Sequence, residues 1–239
     1  MSENQEERYM TGIIGAMDEE VSQLVHKMTG VQTEVIAGMT FNKGIISGRE
    51  AVVVRSGIGK VNAAVCTQIL ATHFGVDAII NTGVAGSLKN EINIGDIVIS
   101  TDALQHDMDA TGFGYEPGII PRMKTSVFKA DERLVKLAEE ACREAGLNIG
   151  VFKGRIVSGD QFITDKATKD RLIKLFSGYC TEMEGAAIAQ AAYLNNIPFV
   201  VIRAISDKAD DSATMDYGEF EKKAIDNSVA MLVKMLAQI

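Results

Sequence analysis

The chain has no tryptophan, three prolines and three cysteines among its 239 residues. Cys66, Cys142 and Cys180 are odd in number, widely spaced and never in a Cys-x-x-Cys pair. That pattern excludes a disulfide framework and fits small buried thiols kept reduced in a cytoplasm. No apolar run approaches the roughly 20 residues that span a bilayer. The opening MSENQEERYM is polar where a secretory leader needs an apolar centre. A cytoplasmic protein is expected, with a frayed tail over residues 1–9 and a single domain over 10–239. Basic charge is also scarce. Lysine and arginine number 24 against 32 acidic residues, a formal net charge of -8, and no basic stripe interrupts the acidic balance. This argues against nucleic-acid binding and for a small-molecule partner.

Familiar chemical signatures are missing as well. His26, His73 and His106 are far apart and no His-Glu-x-x-His occurs, so no metal is expected. The one cluster, His106-Asp107-Met108-Asp109, reads as a solvated, hydrogen-bonded loop. There is no Gly-x-Ser-x-Gly elbow for a serine nucleophile. SGIGKVN (56–62) has an asparagine where a dinucleotide fingerprint needs its third glycine, and Val61 where a phosphate loop needs Ser or Thr after Gly-Lys. No cofactor is expected, and these glycines read as tight turns.

What is present is an alternation. Hydrophobic residues make up 46% of the chain, enough for a substantial core. GIIGA (12–16), MTFNKGIISG, REAVVVRSG, DAIINTG, IGDIVIS, VFKGRIVSG and NIPFVVIRAIS read as strands. Helical spacing follows at Val21, Leu24, Val25 and Met28, again at Val61, Ala64, Val65 and Ile69, and over DERLVKLAEEACREAG, which Gly146 can end. A last helix is expected over Asp216 to Gln238, with Asp216 and Glu219 spaced as a capping box. Continuous apolar strands between helices imply an α/β fold whose mostly parallel sheet is covered on both faces. Leu104 to Lys124 is the one long irregular segment, and such loops are usually functional or disordered.

In such sheets ligands sit beyond the carboxyl ends of strands. Residues at these places are Met17 to Glu20, Ser56 to Lys60, Thr82 to Ser87, Ser158 to Ile163, Glu182 to Glu184 and Arg203 to Asp211. Carboxylates dominate them. Taken together, GIIGAMDEEV, SGIGKVNAA, IINTGVAGSL, VSGDQFI, EMEGAAIA and FVVIRAISDKAD resemble the 5′-methylthioadenosine/S-adenosylhomocysteine nucleosidases, in order and over almost the whole chain after residue 9. Each short motif is shared with the wider nucleoside phosphorylase superfamily. The full set, with EMEGAA and RAISD intact, is specific.

The resemblance implies a three-layer α/β/α sandwich around a central mixed, partly barrel-like sheet. It also implies hydrolysis of an N-glycosidic bond through an oxocarbenium-like sugar. By the family's pattern Glu20 is the general base for water, and Asp207 acts on purine N7 as the acid, protonating or hydrogen-bonding it. Asp18 and Glu19 read only as favourable charge in a helix's first turn. Glu184 grips the ribose hydroxyls and Met183 contacts the sugar, while Glu182 either touches the ribose or caps a neighbouring element. Phe162, Ile163, Ala85 and Gly86 surround the adenine, with Arg203 and Ser206 in support. Met17, Ile58 and Tyr217 face the 5′ substituent. Phe113, Tyr115 and Pro121 belong to a segment that, in this family, crosses a homodimer interface to line the partner's pocket.

Two departures stand out. Val84 replaces a serine found in many relatives, so a hydroxyl that could orient the aspartate is absent and another donor has to substitute. Tyr217 occupies a position often held by phenylalanine. Acidic residues where phosphorylases place arginines disfavour phosphate as a co-substrate. Three alternatives remain: a phosphate-dependent phosphorylase, a hydrolase for another adenosine-type nucleoside such as 5′-deoxyadenosine or aminofutalosine, and a non-catalytic nucleoside-binding protein.

Overall fold

In a computed structural model that describes residues 9–146, 148–210 and 212–239, with the backbone alone over 214–219, the apolar runs become strands. The chain enters as β1 (Met10–Gly15) and α1 (Asp18–His26), then folds three strands in succession, β2 (Thr29–Ile36), β3 (Met39–Ile46) and β4 (Arg49–Arg55). Next come α2 (Lys60–Ile69), β5 (Ala78–Ser87), β6 (Ile97–Gln105) and, after a long loop, β7 (Phe128–Lys129) and α3 (Glu132–Glu144). The remainder is β8 (Val151–Ser158), α4 (Lys166–Phe176), β9 (Cys180–Glu182), α5 (Gly185–Leu194), β10 (Phe199–Asp207) and α6 (Ala213–Leu236). Among the described residues, no helix is long and apolar enough to cross a membrane.

The sheet is mixed. β5 pairs with β10 in parallel, β10 with β6 antiparallel, β6 with β8 and β8 with β9 in parallel, and β9 returns antiparallel to β5. These five strands close a ring, the partly barrel-like sheet expected from the resemblance. β1, β4, β3 and β2 extend it outward from β5. The expectation of a mostly parallel sheet was too strong, because β2, β3 and β4 form a meander and the ring itself closes through two antiparallel joins.

Alternation along the strands divides the core in two, because successive side chains point to opposite faces. Ile13 and Ile80 pack with Leu24 of α1, Leu134 of α3 and Leu232 of α6. Ile14 and Ile79 pack on the other side with Cys66 of α2 and Ile188 of α5. Helices thus cover both faces. A smaller cluster around Leu172 and Phe176 seats α4 against Ile163 and Ala209, two residues of the site described below.

Several elements were not anticipated. β2 is exposed along nearly its whole length, so burial imposed no pattern on its sequence. β9 is only three residues long, and α4 lies where no helix was expected. The last helix begins at Ala213, three residues before Asp216. The side chains of Asp216 and Glu219 lie outside the described residues, as does most of the 1–9 tail. Gly146, at φ +64, follows α3 as expected. All three cysteines are free and buried, and burial pushes the thiols of Cys66 and Cys142 up to about 12.

β5 is the strand both segments of the sheet share, and Ile80 at its centre is fully buried. Ile80→Ala should cost about 2–5 kcal/mol, measured as a lower urea midpoint. A loss under 0.5 kcal/mol would mean this core collapses around the deletion.

Candidate active site

β5, β9 and β10 bring their last residues together. Asp207 stands opposite Gly86, and Gly86 opposite Thr181. A cavity of about 260 Å³ opens there, walled also by the loops after β1, β4 and β8. Met17, Glu20, Met183, Glu184, Ala85, Gly86, Ile163 and Asp207 line it. Phe162 and Ile58 form the rim, both about half exposed (50% and 54%). Glu182, Arg203 and Ser206 complete the lining.

Glu20 sits in the first turn of α1 yet is only 3% exposed. One oxygen accepts the N–H groups of Ala16 (2.6 Å) and Met17 (3.1 Å), and the other accepts that of Val84 (3.1 Å). Desolvation nevertheless raises its pKa, outweighing Arg203 and those three donors. Asp18 and Glu19 are exposed on the same turn, and Asp18 makes a surface ion pair with Arg55.

Glu184 terminates the segment between β9 and α5. It occupies the N-cap position, with one oxygen accepting the N–H of Gly59 (2.9 Å) and the other 3.4 Å from Arg203. Burial raises its pKa to about 7 against the pull of Arg203. Glu182, at the end of β9, is engaged elsewhere. It pairs with Arg203, bonds the Ser158 hydroxyl, and accepts the N–H groups of Glu184 (3.1 Å) and Gly185 (2.7 Å). Of the two roles left open for it, this geometry is that of a cap on α5 and an anchor for the arginine.

Arg203 is 1% exposed, inside the ring. Its Nη2 reaches Asn81 (2.7 Å), Glu182 and Glu184. Burial opposes its charge, but Glu182, Glu184 and Glu20 overcome that penalty and hold the guanidinium's pKa above its ordinary value. Gly83 makes the approach possible, since a Cβ there would overlap the guanidinium and lie 2.5 Å from the Glu20 carboxylate.

Asp207 accepts the Ser206 hydroxyl (2.9 Å) and the N–H of Ala209 (2.7 Å). Val84 contributes its backbone N–H to Glu20. Phe113, Tyr115 and Pro121 do not line this cavity, and Phe113 is 87% exposed on the loop after β6. The Tyr217 side chain lies outside the described residues. His106 is buried rather than solvated, its ring packed over Gly159, and burial lowers its pKa. Asp107 forms an ion pair with Lys60 (2.6 Å). Ser158 and the N–H of Gly59 went unassigned to the site; their only signal in the sequence was the glycine-rich turns that carry them.

The profile of the phosphorylase superfamily matches residues 11–237. A 5′-methylthioadenosine/S-adenosylhomocysteine nucleosidase of Bacillus cereus (strain B4264) is 44% identical over 231 residues, covering 95% of this chain and 98% of that protein. The nucleosidase of that name from Neisseria meningitidis, solved with methylthio-immucillin-A, superposes with a TM-score of 0.92 at 38% identity, covering 96% and 99% of the two chains. A futalosine hydrolase mutant of Helicobacter pylori reaches 0.92 at 33% identity, covering 97% and 100%.

The raised pKa of Glu184 has a thermodynamic consequence. A carboxyl at about 7 when folded and 4.5 when unfolded lends stability that is complete below the unfolded value and lost as pH climbs through the folded one. Glu20, shifted the same way, adds to that slope. Glu184→Gln should therefore flatten the fall in thermal midpoint between about pH 5 and pH 7.5. An unchanged slope would show that Glu184 stays ionised throughout.

Proposed function

Because the chain belongs to the phosphorylase superfamily and, within it, to the 5′-methylthioadenosine/S-adenosylhomocysteine nucleosidases, we propose that it hydrolyses the N-glycosidic bond of these two nucleosides. The products are adenine with 5-methylthioribose or S-ribosylhomocysteine. The carrying observation is the charge of the cavity. Four carboxylates, Glu20, Glu182, Glu184 and Asp207, line it, and the only cation among its described lining residues, Arg203, has its Nη2 held by Glu182, Asn81 and Glu184. Four carboxylates around one cation repel a phosphate dianion, whereas water needs only a base.

In this reading Glu20 takes the proton from the attacking water. Its raised pKa makes it a stronger base than an exposed glutamate. Glu184 accepts hydrogen bonds from the ribose diol and faces the developing sugar cation, with Met183 beneath the sugar. Asp207 hands a proton, or a hydrogen bond, to N7 of the leaving adenine. Phe162 covers the base, and Ile163, Ala85 and Gly86 form its bed. Met17 and Ile58 flank the 5′ substituent. The family resemblance assigns Tyr217 to the 5′ substituent as well.

A homodimer completes this arrangement. Phe113, Tyr115 and Pro121 lie on the loop after β6, away from their own chain's cavity, and the exposed Phe113 ring suits insertion over a partner's 5′ pocket. The three unpaired buried cysteines fit a cytoplasmic enzyme, and the products fit methionine salvage. Residues 10–239 act as one domain. The likeness to a futalosine hydrolase makes an aminofutalosine-type nucleoside the competing substrate.

Adenine release from 5′-methylthioadenosine is expected in phosphate-free buffer, with free methylthioribose identified by mass. Release that requires phosphate and yields a sugar 1-phosphate would overturn the hydrolase reading. Asp207→Asn should lower kcat by about 10²–10⁴-fold without unfolding. Glu20→Ala should lose hydrolysis while retaining most inhibitor affinity; an equal loss of both would make Glu20 a structural residue.

A further inference from the structure

The turn that follows Asp207 is held in an unfavourable shape. Ala209 has φ +50, a left-handed conformation that a residue bearing a Cβ adopts reluctantly. Its N–H nonetheless points at the Asp207 carboxylate, 2.7 Å away. The fit is close on every side. Ala209 is fully buried, and a Cβ on Gly86 would stand 2.8 Å from the Ala209 Cβ and 2.6 Å from Asp207 Oδ1.

Two lysines clamp this turn. Lys208 sends its amine back to the carbonyl of Ile92 (2.5 Å). Lys169, one turn into α4, donates its Nζ to the Lys208 carbonyl (2.6 Å) and lies 3.3 Å from the Asp210 carboxylate. The Lys169 side chain is only 8% exposed, unusual for a lysine. A buried amine of this kind adds little net stability, since an apolar side chain of similar volume often serves as well. Its partners point to another role. α4 begins at the N-cap Asp165, two residues after Ile163, so Lys169 ties the wall carrying Phe162 and Ile163 to the turn carrying Asp207.

We infer that Lys169 is a positioning residue for the reaction: by gripping the Lys208 carbonyl and Asp210, it holds Ala209 in its left-handed conformation and keeps the Ala209 N–H on Asp207. The inference rests on the role of Asp207 proposed above. It assigns to Lys169 no contact with substrate.

The test uses the full chain and 5′-methylthioadenosine. Lys169→Met, which keeps the length of the side chain and removes its donors, should lower kcat by about 10- to 100-fold, the cost of a small misplacement of a reacting group. KM should stay within about threefold, because the ribose contacts are untouched. Adding Ala209→Gly should return about two- to fivefold of the lost kcat, since glycine adopts a positive φ without strain. A general weakening of the fold would show no such rescue. Asp210→Asn, at a carboxylate 31% exposed, serves as the milder variant and decides the matter should Lys169→Met not fold. It is expected to lower kcat, again with little change in KM. The inference is overturned if Lys169→Met, or in its absence Asp210→Asn, keeps kcat within twofold, or if Ala209→Gly recovers nothing. Wild-type enzyme that releases no adenine from any nucleoside would instead refute the proposed reaction, which is a separate outcome.

Discussion

The buried guanidinium of Arg203 is the fixed point of this molecule's site. It lies inside a closed ring of strands, where an uncompensated charge would be prohibitive. Glu182 and Glu184, two residues apart, supply the compensation, with Asn81 taking a further N–H. The dependence runs both ways. Glu182, at the end of β9, and Glu184, at the start of α5, are themselves buried, and the arginine offsets the cost of placing two carboxylates there. Removing the arginine would leave both carboxylates buried without their cation, which makes the three a unit rather than a sum of pairs.

Backbone geometry is what lets the unit assemble. Gly83 leaves the space that the guanidinium and the Glu20 carboxylate occupy. Gly59 brings an N–H to Glu184 because its backbone, at φ +97, turns where other residues rarely can. Ser158 bonds Glu182 and also accepts the N–H of Ala186, fixing the end of β8 to the first turn of α5. Ser158 ends β8 and Gly59 lies in the turn after β4, so much of the cavity is built where the ladders stop and side chains satisfy what the sheet no longer does.

The sequence made some of this legible and hid the rest for physical reasons. β1, β4, β5 and β10 are continuous apolar runs because both their faces are covered, and they read plainly. β2 did not, since an exposed strand carries no burial pattern. β9, at three residues, is too short for any pattern. Glu20, Glu184 and Asp207 stood out through their motifs, whereas the engagement of Glu182 with Arg203 required knowing that a strand end and a helix cap meet there. Lys169 was invisible. No helix was expected over α4 and a lysine is rarely buried, so only the fold shows its amine pressed against the turn after Asp207.

The balance of charge around Arg203 also suggests why the arrangement suits its chemistry. Glu20, Glu182 and Glu184 surround a single cation, so full ionisation leaves the cavity short of positive charge. Burial opposes that full ionisation and raises the pKa of Glu20 and Glu184. Breaking an N-glycosidic bond creates the missing charge, because positive character grows on the sugar as the base departs. The carboxylates are therefore least favourable in the empty site and most favourable at the transition state, when the sugar becomes the second cation. An interaction that strengthens only along the reaction coordinate lowers the barrier rather than merely tightening binding. The neutral nucleoside is thus held by shape and hydrogen bonds, and the electrostatic term is reserved for the step that needs it.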